Sequence, residues 1–236
     1  MAQVNGGERR GIIMTEETKS VVSVPDYLAF ITKVMRENEE FLHENAKEAY
    51  NEVVELVNDA IDLAKQGVKE KSNYAKFSMD FFIYHILMPY SYAIYVDLLA
   101  GNLPVCFMQL RLMLESLAKC CLADSRYADQ PFFQQRIELL EKKRLSTSKL
   151  MEDLGKELRV GNDFKSLWHQ LSQDWVHTRG IADGVVNYVV QNSDVPPWAL
   201  LIPMSYRASD LGTINKLQEQ IVKFRDLLAV ITATAV

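Results

Sequence analysis

No run of apolar residues in this 236-residue sequence is long enough to cross a bilayer. The most apolar charge-free stretch, Phe81 to Val96, is bracketed by Asp80 and Asp97 and falls short of the roughly 20 residues a span requires. It also contains Pro89 and the tyrosines Tyr84, Tyr90, Tyr92 and Tyr95. It reads as a buried core helix, and no membrane association is expected. Cysteine is scarce. Cys106, Cys120 and Cys121 are an odd number, two of them adjacent, which suits neither a disulfide framework nor zinc ligation. They read as small buried hydrophobes in a reducing compartment, so a cytoplasmic location is expected. Excess positive charge is also missing. The formal charge is -5, which argues against a general nucleic-acid coat while leaving room for a local basic groove.

Several chemical signatures are absent as well. There is no Walker loop, dinucleotide fingerprint, nucleophile elbow or zincin motif, and no cofactor is expected. No internal repeat or low-complexity tract is seen. Residues 1–20 are polar and Gly-containing and are expected to be a mobile tail, with Met14 as an alternative start. Residues 21–236 are expected to form a single helical domain.

What remains is helix signal. Ser23, Pro25 and Asp26 form a capping box, after which no Pro or Gly occurs until Gly67. Ala46, Ala49, Tyr50, Val53, Val57, Ala60, Ile61 and Ala64 line one face. Glu37, Glu44, Glu48, Glu52, Glu55, Asp59 and Asp62 line the other, which is read as solvated. The apolar stripe changes angle, so a kink near residues 36–41 is predicted. A second helix over 73–100, bent near Pro89, completes a long N-terminal helical hairpin. Gly101 ends it and Asn102 is expected to cap a third helix, apolar nearly all round and therefore central. Ser146, Thr147 and Ser148 can divide the segment 131–159. Another helix starts near Asn162-Asp163. An irregular or β-hairpin excursion is expected near 184–206. In the last helix Ile214, Leu217, Ile221, Phe224, Leu228 and Ile231 make a heptad-like seam, suited to bundle packing or to a dimer interface. The expected fold is all-α, a bundle of six or seven helices.

The candidate chemistry is limited. Arg111 and Glu115, four apart on the most apolar helix, share a face. They are read as a structural ion pair or, with Ser172, as a polar binding pocket. Phe164, Leu167, Trp168, Leu171 and Trp175 form one apolar stripe, which places the tryptophans in the core. His177, Arg179 and Gly180 have the chemistry of a helix C-terminus. The sharper reading makes His177 and Arg179, with Arg111, a catalytic cluster. Glu40-x-x-His43 and Asp174-x-x-His177 have the spacing of di-metal carboxylate bundles, but their positions on the helices disfavour it and no metal ligands are assigned. Lys142, Lys143, Arg144 and Lys149 read as a solvated basic face or a weak phosphate contact.

The Arg111-x-x-x-Glu115 pair in a hydrophobic mid-chain helix, followed by "LSQDWVH", resembles the HEPN-like helical-bundle family over roughly Leu103 to Gly180, about a third of the chain. The resemblance implies a helical bundle, a homodimer, and a link to defence or RNA metabolism with an RNA or nucleotide ligand. Catalytic members cut RNA without metal, using an Arg placed four to six intervening residues before a His. Here Ser172, Leu171 and Gln170 occupy those positions, and Arg179 follows His177 instead. The resemblance thus carries the fold further than it carries nuclease activity. The leading expectation is a non-catalytic helical binding or assembly module. A metal-independent ribonuclease is the alternative, and a di-metal carboxylate protein the second.

Overall fold

Periodic apolar residues become helices throughout the computed structural model, which describes residues 24–67, 75–175 and 204–234. No strand occurs among them. The helices are α1 (Val24–Asn45), α2 (Lys47–Gln66), α3 (Ser78–Phe82), α4 (Met88–Leu99), α5 (Leu103–Arg126), α6 (Phe133–Lys142), α7 (Thr147–Glu157), α8 (Asp163–Trp175) and α9 (Leu211–Thr234). A π-helical turn, Ile83–Leu87, joins α3 to α4 as one rod, which leaves eight helices among the described residues.

That is one more helix than the upper expectation. The extra division falls at Ala46, whose φ of -147° leaves the helical region, and not at the predicted kink over 36–41. Asn45 turns its Nδ2 back onto the Phe41 carbonyl at 3.0 Å. Side-chain competition of this kind weakens a helix locally. α2 then runs antiparallel to the α3–α4 rod: the Tyr84 hydroxyl donates to the Ala64 carbonyl, and Tyr50 meets Tyr95.

The bend expected near Pro89 is the π turn. Proline has no N–H and its ring crowds the carbonyl four residues back. The widened turn just before it relieves both, and the Met88 N–H reaches back to the Ile83 carbonyl. The start of α3 is capped from a distance. Asp124 of α5 accepts from the Ser78 and Met79 N–H groups at 2.9 and 3.0 Å. The buried Arg136 of α6 holds the same carboxylate at 3.0 Å.

Asn102 precedes α5 as expected, but its side chain does not cap. Its Nδ2 donates to Asp97 instead, at 3.0 Å. Ser146 does cap α7, accepting from the Lys149 N–H at 3.2 Å. Ser23 lies outside the described residues, as do residues 1–20. Of the excursion near 184–206 only Met204, Ser205 and Tyr206 are described, and they run without helix or strand.

All six seam residues of α9 are buried. They pack within the chain, against α2, α5 and α8. One continuous core unites these helices around α5. Yet α5 is not buried all round, because Met108 and Leu112 are exposed. The acidic face of α2 is not simply solvated either. Arg225 of α9 binds Glu52 at 2.5 Å and Asp59 at 2.6 Å, with Glu55 at 3.8 Å. None of the helices described is long and apolar enough to cross a membrane.

Candidate functional site

Four-residue spacing on α5 sets Arg111 beside Glu115, Nε to Oε1, at 2.8 Å. α8 packs against α5 and brings Trp168 to the same carboxylate, where the indole Nε1 donates to Glu115 Oε1, also at 2.8 Å. The Arg111 guanidinium carbon lies 5.4 Å from the centre of the Trp168 ring, within range of a cation–π contact. The two charged side chains keep 21% and 24% of their surface exposed. The pair is therefore partly buried, neither the interior ion pair nor the solvated one.

Trp168 packs against the core as its stripe predicts, but only in part. Its neighbours Phe164, Leu167 and Leu171 are fully buried, but Trp168 is only partly so. An indole needs a partner for its N–H, and Glu115 supplies it. Ser172 is buried one turn further along α8, but its hydroxyl donates to the Trp168 carbonyl at 2.6 Å. It is bonded within its own helix and not to the Arg111–Glu115 pair. The side chain of Trp175, and both His177 and Arg179, lie outside the described residues, so the catalytic cluster proposed from the sequence has only Arg111 within them.

A second polar cluster joins α1, α2 and α4. The Tyr50 hydroxyl donates to Glu39 at 3.1 Å and lies 3.2 Å from the Tyr95 hydroxyl. Burial, then these hydrogen bonds, push the Tyr50 phenol well above its ordinary value, so it holds its proton. His43 packs its ring on Tyr50, with centres 4.4 Å apart. Glu40 and His43 are exposed on α1, and no group of three or more metal-ligating side chains occurs among the described residues. The free thiols are held protonated. Burial pushes Cys106 well up, Cys120 to about 12 and Cys121 to about 11. A thiol is nucleophilic only as thiolate, so these three behave as hydrophobes. In the basic cluster, Lys149 is paired with Glu152 and Asp153.

Asn38 belongs to no sequence motif, yet it is buried and its side chain makes three hydrogen bonds. Its Nδ2 donates to the Leu99 and Met204 carbonyls, both at 2.8 Å, and its Oδ1 accepts from the Tyr206 N–H at 2.8 Å. The Tyr206 hydroxyl adds a bond to the Leu98 carbonyl at 2.6 Å. This hub ties the strand-free segment 204–206 to α1 and to the end of α4. It is a structural node.

Two concavities among the described residues are open to solvent. One runs along α1 past Lys33, Arg36, Glu37 and Glu40; another lies between α8 and α9 at Asp163, Ser166 and Lys223. More prominent is an apolar surface. Tyr92 and Val96 of α4 and Met108 and Leu112 of α5 are large hydrophobics left exposed on adjacent helices.

Fold and surface together define an all-α bundle whose central helix carries a tied Arg–Glu–Trp cluster beside an exposed apolar face. No family model, curated protein or solved structure matches the chain.

Proposed function

We propose that the protein is a non-catalytic helical assembly module, acting as a cytoplasmic homodimer. The observation that carries this reading is the arrangement on α5. Arg111 and Glu115 are bound to each other and to Trp168, and large hydrophobics lie exposed on the same helix. Exposed apolar side chains on neighbouring helices suit association. The three protonated thiols are consistent with a reducing compartment.

Sedimentation of the purified full chain tests the reading. A dimer with no RNA cleavage in the presence of chelator is expected. Metal-independent cleavage that disappears in His177→Ala would replace it with the ribonuclease reading. A monomer at about 100 μM would remove the assembly reading.

A further inference from the structure

Asp97 and Gln109 are hydrogen-bonded across the α4–α5 hairpin at 2.8 Å. Val96 lies one residue further from the connection than Asp97 and Met108 one residue nearer to it than Gln109, so the two sit within about 3 Å of the same level on neighbouring helices. One turn further from the connection, Tyr92 on α4 and Leu112 on α5 match in the same way. All four are exposed, at 50%, 42%, 44% and 39% respectively for Val96, Met108, Tyr92 and Leu112. They account for half of the large hydrophobics left exposed among the described residues.

Within their contact with Trp168, the charges next to this surface keep hydrogen-bonding capacity that the described residues do not use. Arg111 uses Nε for Glu115, and no bond engages its Nη1 or Nη2 among the described residues. Glu115 receives both Arg111 and Trp168 on Oε1, which leaves Oε2 without a partner there. Along α5 the order is Met108, Arg111, Leu112, Glu115, with the positive group nearer the N-terminus. An antiparallel copy reverses that order. A two-fold axis crossing α5 midway between residues 111 and 115 sets each Arg111 against Glu115 of the second copy. The Nη groups of Arg111 then face Oε2 of Glu115 on the second copy. Such a surface is complementary to itself, as an isologous interface requires.

We infer that the outer α4–α5 face, with Tyr92, Val96, Met108 and Leu112 at its centre and Arg111 and Glu115 beside them, pairs with the same face of a second copy of this chain. The inference rests on the assembly reading and names its surface. Tyr, Met and Arg are the residue types enriched in interface centres. A four-membered Arg–Glu–Arg–Glu ring shielded by those side chains would fix the register.

Sedimentation of the full-length protein and of four variants tests it, with circular dichroism and melting temperature as controls. Leu112→Asp and Val96→Asp each place a charge on the face. Each should weaken dimerisation by at least about a hundredfold and leave the helix content unchanged. Arg111→Glu and Glu115→Arg should each be monomeric alone, since like charges then oppose across the axis. Mixed in equal amounts they should form a heterodimer, because both cross-pairs are restored. If a charge variant fails to fold, the two Asp variants decide the question. A wild-type dimer that persists in both Leu112→Asp and Val96→Asp would overturn this surface and leave the assembly reading standing. A wild-type monomer at about 100 μM would overturn both.

Discussion

Trp168 gives its indole N–H to the same Oε1 of Glu115 that holds Arg111. Glu115 thus serves two donors, and Arg111 serves one acceptor. Removing the acceptor strands a partly buried N–H and a cation together; removing Arg111 leaves Glu115 still bonded. Glu115→Ala should therefore cost about 2 kcal/mol and Arg111→Ala about 1 kcal/mol, with exposure of the pair limiting both. Urea denaturation measures the two costs, and tryptophan fluorescence should shift to the red in Glu115→Ala. Equal costs would mean that the indole bond contributes nothing to stability.

The segment after residue 203 offers a sharper case. Asn38 supplies two donors and one acceptor to backbone groups of Leu99, Met204 and Tyr206. Asn38→Ala should destabilise by about 3 kcal/mol, because several buried backbone groups lose their bonds at once. Asn38→Asp is nearly isosteric yet should be worse, since it turns a carboxylate oxygen toward the Leu99 and Met204 carbonyls. Hydrogen exchange at the Tyr206 amide should accelerate in both. Gly101 closes the same contact. Its φ is +73°, and a Cβ there would lie 2.0 Å from the Met204 carbonyl oxygen. Gly101→Ala should cost at least about 2 kcal/mol from backbone strain and this clash. An Asn38→Asp protein more stable than Asn38→Ala would contradict the hub.

These nodes explain what the sequence disclosed and what it withheld. The α9 seam was legible because six apolar residues at alternating three- and four-residue steps admit one face, and all six are buried. The division of 131–159 at Ser146–Ser148 and the bend near Pro89 were legible for a similar reason: each follows from local backbone chemistry. The break at Ala46 was not, because alanine is the best helix former and the disturbance comes from the Asn45 side chain. Asn38 is hidden among Arg36, Glu37, Glu39 and Glu40, and its partners are as far as 168 residues away. Trp168 packs on the core as its stripe indicates, but stripe membership does not disclose that its N–H goes to a carboxylate 53 residues earlier. Of the candidate site, the sequence disclosed Arg111 and Glu115 as a pair and missed the residue that completes it.

Arg225 illustrates the same limit. The acidic stripe on α2 was visible, but its counter-ion lies 166 residues beyond Asp59. Arg225 is surrounded by Glu52, Glu55 and Asp59. Arg225→Met keeps the packing of the stem and leaves three carboxylates facing one another. After allowance for solvent screening, the loss should be about 1–2 kcal/mol. It should shrink as salt is added, because what remains is like-charge repulsion near the surface. Urea titrations at low and high salt measure this. A loss independent of salt would assign the effect to packing.

Asp80 carries a pH-dependent prediction of the opposite sign to an ordinary ion pair. Burial, and then the nearby Asp124 carboxylate, raise its carboxyl above the ordinary value. The folded state therefore holds the proton more tightly than the unfolded chain does. Its stabilising contribution is present below the unfolded value, near ~3.9, and is lost as pH rises through the folded one. At neutral pH the ionised group is a liability, and Asp80→Asn should melt at a higher temperature than the parent. The advantage should fade as the pH is lowered toward about 4. One effect opposes this. Asp80 lies in the first turn of α3, where the helix dipole favours an anion by about 0.3–1 kcal/mol at most exposed sites. The Ser78 and Met79 amides at that terminus are already bonded to Asp124, which weakens the favour. A melting temperature for Asp80→Asn below that of the parent at neutral pH would show that the dipole outweighs burial and repulsion.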